Sequence, residues 1–131
     1  MIMNRQKLFL LLIVSLVAAA NVDAARNILR LGFEHGLSNN YVMGIAQDRN
    51  GFVWISTESG LNRYDGASFR VFNKEGQTAL SANELNRICA DTINNVLWIA
   101  TQRHGLDRLD CNSYKLQNYA HDGGNPNSIG S

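Results

Sequence analysis

From Tyr41 onward the apolar residues come in short bursts separated by turn-forming clusters. Tyr41–Asp48 is a mixed apolar segment, Asn50-Gly51 is a two-residue hairpin signal, and Phe52–Thr57 is rich in aromatic and β-branched residues. Glu58-Ser59-Gly60 marks the next turn, Leu61–Tyr64 a third strand, Asp65-Gly66 another hairpin and Ser68–Phe72 a fourth strand. Ahead of these, Ile28, Leu29, Leu31 and Phe33 give a short apolar pattern that predicts an edge strand within residues 25–36.

The same layout then recurs. Trp54-Ile55-Ser56-Thr57 followed by Gly60-Leu61-Asn62-Arg63 returns as Trp98-Ile99-Ala100-Thr101 followed by Gly105-Leu106-Asp107-Arg108. Leu37-Ser38 returns as Leu80-Ser81, and Asp48 as Asp91, so the period is 43 residues at the start of the unit and 44 at the tryptophan. A period of about 40–45 residues built from four short strands is that of a propeller blade, a small sheet that needs neighbours to cover its faces. The predicted class is therefore all-β: β-propeller blades of four antiparallel strands, two blades and the start of a third, behind a signal peptide. The expected divisions are a leader at 1–24, a lead-in at 25–36, blades at 37–76 and 77–122, and a third blade beginning at 123–131, where Ser128-Ile129-Gly130-Ser131 echoes Ala79-Leu80-Ser81-Ala82. Closed propellers have about four to eight blades, so the expectation is an amino-terminal part of a longer protein; assembly of several copies into a ring is the alternative way to cover the ends.

Arg5 and Lys7 lead into an uncharged run from Leu8 to Ala20 and then Val22-Asp23-Ala24, the order of a secretory signal peptide. The run is 13 residues, short of the roughly 20 that cross a bilayer as a helix. Export is expected. Setting aside Arg5, Lys7 and Asp23 from twelve basic and eleven acidic residues leaves ten of each. Such a balance lacks the basic stripe that nucleic-acid binding needs, so no nucleic-acid partner is expected. Cys89 falls at the repeat position of Ala46 and Cys111 at that of Gly66, and both read as small buried thiols; their spacing does not fix whether they pair.

Gly36-Leu37-Ser38-Asn39-Asn40-Tyr41-Val42, Ile45–Thr57 and Gly60–Gly66 with Phe69 together resemble the two-component regulator propeller repeat. In that family such repeats build periplasmic sensor regions, commonly two propellers and a β-sandwich ahead of a membrane helix and a histidine kinase. The resemblance implies sensing of an extracytoplasmic ligand, often a carbohydrate fragment, by a hybrid two-component sensor. It implies further blades of the same chain, an oligosaccharide ligand and a homodimeric parent as partners. Kinase activity would lie outside these residues, and the chain itself is expected not to be an enzyme.

Residues repeated with the blade read as architecture, because a catalytic group acts in one place. Asp48, Gly51, Trp54, Gly60, Leu61, Asp91, Trp98, Gly105 and Leu106 are the repeated structural positions. Trp54 and Trp98 suit a blade core better than a sugar-stacking platform. Asp48 and Asp91 precede turns and suit backbone hydrogen bonding, and Arg63 and Arg108 suit pairing with carboxylates such as Asp65 or Asp110. His35, His104 and His121 lack metal-ligand spacing, so neither metal nor cofactor is expected. Ser38 and Ser81 sit outside any Gly-x-Ser-x-Gly turn, which argues against a hydrolase nucleophile. Positions that differ between units are the better binding candidates: Glu58 in one second-to-third-strand turn, and Arg103 and His104 in the other, which shares its end of the sheet with the connection Asn73–Ala79. An exported propeller enzyme acting on polysaccharide, as hydrolase or lyase, is the competing function.

Overall fold

The computed structural model describes residues 28–130, and the leader assigned to residues 1–24 lies outside them. Eight strands follow in order: β1 Val42–Gln47, β2 Val53–Thr57, β3 Gly60–Tyr64, β4 Phe69–Phe72, β5 Leu85–Asp91, β6 Val96–Thr101, β7 Leu106–Asp110 and β8 Leu116–Tyr119. They form two antiparallel meanders, β1-β2-β3-β4 and β5-β6-β7-β8. These are two four-stranded propeller blades. Among the described residues no helix is long and apolar enough to cross a membrane.

Register sorts each side chain to one face. Ala46, Trp54, Arg63 and Arg70 align across the first sheet, and Ser56, Leu61 and Phe72 lie on the same face two residues along. That face packs on the second sheet. Trp54, Leu61 and Phe72 join Leu80, Leu85, Leu97, Ile99, Leu109 and Cys111 in one buried cluster, with Tyr114 packed against it. Ser56 Oγ donates across the interface to the Asn86 carbonyl at 2.6 Å, and a Cβ on Gly44 would come within 3.2 Å of the Ile88 nitrogen. Gly44 thus lets the innermost strands β1 and β5 approach closely.

The second sheet turns Ile88, Leu97, Ile99 and Leu109 toward the first, and Cys89, Trp98, Arg108 and Gln117 away from it. This sidedness corrects two expectations. Cys89 is exposed rather than buried, and Trp98 is only half-buried while Trp54 is fully enclosed. Ala46, at the position of Cys89, is packed against the core because the second sheet covers its face. No third sheet stands over Cys89 and Trp98 among the described residues, so Trp98 packs only on its own sheet, against Tyr119 (5.9 Å between centroids) and Arg108 (6.0 Å). Leu106 is likewise half-buried where Leu61 is enclosed.

The predicted lead-in strand is not formed within residues 28–36. A 3-10 turn, Phe33–His35, stands there, closed by Gly36 at φ 100° in the left-handed region that favours glycine. Its chain direction is set by Asn40, whose Oδ1 accepts the Phe33 N–H at 2.7 Å. The pairing expected for Arg63 is also corrected. Its guanidinium lies 4.2 Å from the centre of the Phe52 ring and donates to the Tyr114 hydroxyl, and no arginine–carboxylate pair within 4.0 Å occurs among the described residues. The planar guanidinium stacks in the groove between the sheets, where a carboxylate would have to be desolvated.

Candidate functional site

The register puts one set of loops at one end of both sheets. Val42 pairs with Thr57, Thr57 with Gly60, and Leu61 with Phe72, so the β2–β3 turn and the β4–β5 connection share that end. In the second sheet Leu85 pairs with Thr101 and Leu106 with Tyr119, which places the Gln102–His104 turn and the segment after Tyr119 there too.

In the first unit this end is closed by a fully satisfied polar ring. Asn62 accepts the Ser38 N–H (2.8 Å) and donates to Ser38 Oγ (2.8 Å) and to the Ile55 carbonyl (3.1 Å). Ser38 Oγ meets Thr57 Oγ1 at 2.8 Å. Thr57 Oγ1 also accepts the Ser59 N–H, which shapes the turn carrying Glu58. Glu58 is exposed on this turn.

The second unit keeps the scaffold and changes its chemistry. Thr101 Oγ1 donates to the Gly105 carbonyl and accepts the His104 N–H, both at 2.9 Å. Asp107 replaces Asn62 and, fully buried, accepts the Ser81 N–H at 3.0 Å and the Asn118 amide at 2.7 Å. Asp107, unlike Asn62, offers no N–H, and Ser81 Oγ is buried and makes no hydrogen bond, to Asp107 or to any other group. The Gln102 N–H donates to the Glu84 carbonyl at 3.1 Å, tying the turn to the start of β5.

Around this turn lie two clefts. The larger, about 690 Å³, is lined among others by Ser81, Gln102, Arg103, His104, Asn118 and His121. The smaller, about 330 Å³, is lined by Ala82, Glu84, Gln102, Arg103 and His104. Arg103 and His104 are therefore brought together on both clefts, whereas Glu58 lines neither. Gln102 and Asn118 were not singled out from the sequence, and Ser81 and His121 were weighed there only as a nucleophile and a metal ligand. The exchange of Asn62 for Asp107 at equal repeat positions was the available signal for Ser81; His121 reaches the cleft through the fold of residues 120–130, its ring nitrogen Nδ1 lying 2.9 Å from the Ile129 carbonyl.

The repeated carboxylates serve backbone. Asp48 Oδ1 accepts the Asn50 and Phe52 N–H groups at 2.9 and 3.0 Å, and its Oδ2 accepts the Trp54 indole N–H at 2.8 Å. Asp91 accepts from Ile93, Asn94 and the Asn94 side chain. Hydrogen bonds hold three such carboxyls below the usual value, with the Ser68 N–H foremost for Asp65, the Asn94 side chain for Asp91 and the Ser113 N–H for Asp110. Such groups stay ionised and are poor proton donors at neutral pH. Among the described residues no group of three or more His, Cys, Asp or Glu is placed to hold a metal ion.

Residues 36–59 match the family model described as two component regulator propeller. They are a two-component regulator propeller repeat. The structure is also similar to the extracellular domain assigned to the hybrid two component system BT3049 of B. thetaiotaomicron, at 43% identity and a TM-score of 0.72, over 77% of this chain and 14% of that one. A second extracellular domain, that of BT4673 from B. thetaiotaomicron, is 25% identical with a TM-score of 0.51, over 60% of this chain and 11% of that one. A 48-residue stretch, 35% of this chain, is 42% identical to histidine kinase P4 of Formosa agariphila and spans 4% of its length. The propeller repeat is thus shared with sensor proteins many times longer than the residues described.

Proposed function

We propose that this chain forms part of an exported ligand-sensing β-propeller region of a hybrid two-component sensor, and that it binds rather than catalyses. The observation that carries the reading is the 43% identity, over 77% of the chain, to an extracellular domain assigned to such a system. The basic-then-apolar amino terminus agrees with export. The use of Asp48, Asp65, Asp91 and Asp110 as acceptors for turn N–H groups favours binding over acid–base chemistry, since each is already committed to backbone.

The ligand class we assign is oligosaccharide, taken up at the loop end beside Arg103 and His104. Amides, an imidazole and a guanidinium offer hydrogen bonds at several angles, as a polyhydroxylated ligand requires. Binding would act by favouring one arrangement of the sensing region, and only the difference in affinity between two arrangements can be transmitted. Isothermal titration of the complete exported region with a panel of neutral and acidic oligosaccharides tests this. The triple replacement Glu58→Ala, Arg103→Ala, His104→Ala is expected to weaken binding at least tenfold. Unchanged affinity would remove these residues from the site, and the absence of binding across the panel would remove the ligand class.

A further inference from the structure

Two arginines share the seam between the sheets, and no acid answers either of them. Arg63 and Arg70 stand directly opposite each other on β3 and β4, on the face turned to the second sheet. Like charges so paired across strands repel. Both guanidinium groups border the ring of Tyr114, 5.6 Å and 4.7 Å from its centre, and Arg63 also donates to the Tyr114 hydroxyl. The acids that open the two neighbouring turns are engaged by those turns: Asp65 accepts the Ala67 and Ser68 N–H groups, and Asp110 those of Asn112 and Ser113. Arg63 Nε is buried without a hydrogen-bond partner.

The second unit shows that this arrangement is added to the blade rather than required by it. Arg108 takes the place of Arg63 but faces Gln117, so that pair carries one arginine where the first carries two. The connection that supplies Tyr114 runs over residues 110–115, against 65–68 at the same place in the first unit. It holds Tyr114 at φ 56°, a left-handed conformation uncommon for a bulky residue.

We propose that the seam is an oxyanion site, in which Arg63, Arg70 and Tyr114 take a sulfate, phosphate or carboxylate group. Guanidinium groups suit such anions through paired N–H donors. The Tyr114 hydroxyl, having accepted from Arg63, keeps its own hydrogen to donate. Arg70 is exposed, so the anion enters from that side and keeps part of its hydration, which a protein carboxylate buried beside Arg63 would lose. Both walls of the seam belong to the described sheets, and blades packed on their other faces would leave it as it is. The site stands on different residues from the loop-end clefts, and its test is independent of the ligand assigned there.

Titration of the full chain with sodium sulfate, at an ionic strength held constant with sodium chloride, is followed through the arginine Nε–H signals in nitrogen-15 NMR. Saturable shifts of the Arg63 and Arg70 signals are expected. Arg70→Gln, which copies the second sheet at an exposed position, is expected to weaken binding at least tenfold, and Tyr114→Phe severalfold. Arg87→Gln, which removes an exposed charge on β5, is expected to leave it unchanged. The same titration with inorganic phosphate, glucuronate and a sulfated monosaccharide separates the sources. Tighter binding of the sugar acids marks a saccharide group as the occupant and the reverse order a free anion, and either supports the site. Circular dichroism checks folding, and Tyr114→Phe carries the test if Arg70→Gln is not folded. Shifts that never saturate overturn the proposal, as does undiminished binding by both site variants. A loss in Arg87→Gln equal to that in Arg70→Gln overturns it too, since any positive charge would then serve.

Discussion

Replacing Asp48 by alanine separates two roles that look identical along the chain. Asp48 is buried and accepts three hydrogen bonds, from the Asn50 and Phe52 backbone and from the Trp54 indole. Trp54 is fully enclosed, so its N–H has no water to turn to once the carboxylate is gone. Stranding a buried donor costs about 1–3 kcal/mol, and a hydrogen bond to a charged group contributes about 1.5–3 kcal/mol. With the two turn bonds lost as well, Asp48→Ala is expected to cost about 3–4 kcal/mol, toward the upper end of single substitutions. Asp91→Ala removes an equal number of bonds, but the carboxylate and its partners Ile93 and Asn94 are in contact with solvent, which replaces what is lost. Its effect should be much smaller. The assay is urea unfolding followed by far-ultraviolet circular dichroism, carried out as a double-mutant cycle of Asp48→Ala with Trp54→Phe. The phenylalanine lacks the N–H, so the two changes should be non-additive by about 1–2 kcal/mol. A coupling below about 0.5 kcal/mol, within the scatter for independent sites, would refute the assignment of the indole bond as the main element of the cost.

Two further predictions concern the thiols and the glycines. Burial, reinforced by the charges of Asp48 and Asp110, pushes the Cys111 thiol up to about 12, while Cys89 is exposed; a thiol-reactive dye at pH 8 should label one cysteine rapidly and the second only on unfolding, and equal rates would contradict the burial pattern. Gly105→Ala should destabilise the chain far more than Gly51→Ala in the same urea assay. Both glycines have positive φ, but a Cβ at 105 would sit 2.1 Å from the Tyr119 carbonyl oxygen, whereas at 51 it meets nothing within 4 Å and only the left-handed backbone cost of about 1–2 kcal/mol remains.

The strands themselves were legible because their signals are local. Asn50-Gly51 and Asp65-Gly66 mark turns through the left-handed conformations of Gly51 and Gly66, and the segments predicted at Tyr41–Asp48, Phe52–Thr57, Leu61–Tyr64 and Ser68–Phe72 form strands that differ by no more than one residue at either end. The lead-in failed for the same reason that these succeeded: Ile28 to Phe33 has an apolar pattern but no partner strand, and Gly32 with Gly36 allows a tight turn instead. At the loop end, Arg103 and His104 could be picked out because they break the repeat. Ser81, Asn118 and His121 could not, since their meeting depends on how the segment after β8 folds back beside the β6–β7 turn.

The sequence by itself determined the repeat, the four-strand meander and which residues occupy equivalent positions, because strand propensity and turn chemistry act over a few neighbouring residues. It could not determine what equivalence is worth. Trp54 and Trp98, Ala46 and Cys89, Leu61 and Leu106 hold the same places in their sheets, yet the first of each pair is shielded by the second sheet and the other is not. Burial is a property of what lies across a face. Only the packing of one sheet on the other decides it, since a strand's alternation separates its two faces without saying which will be covered.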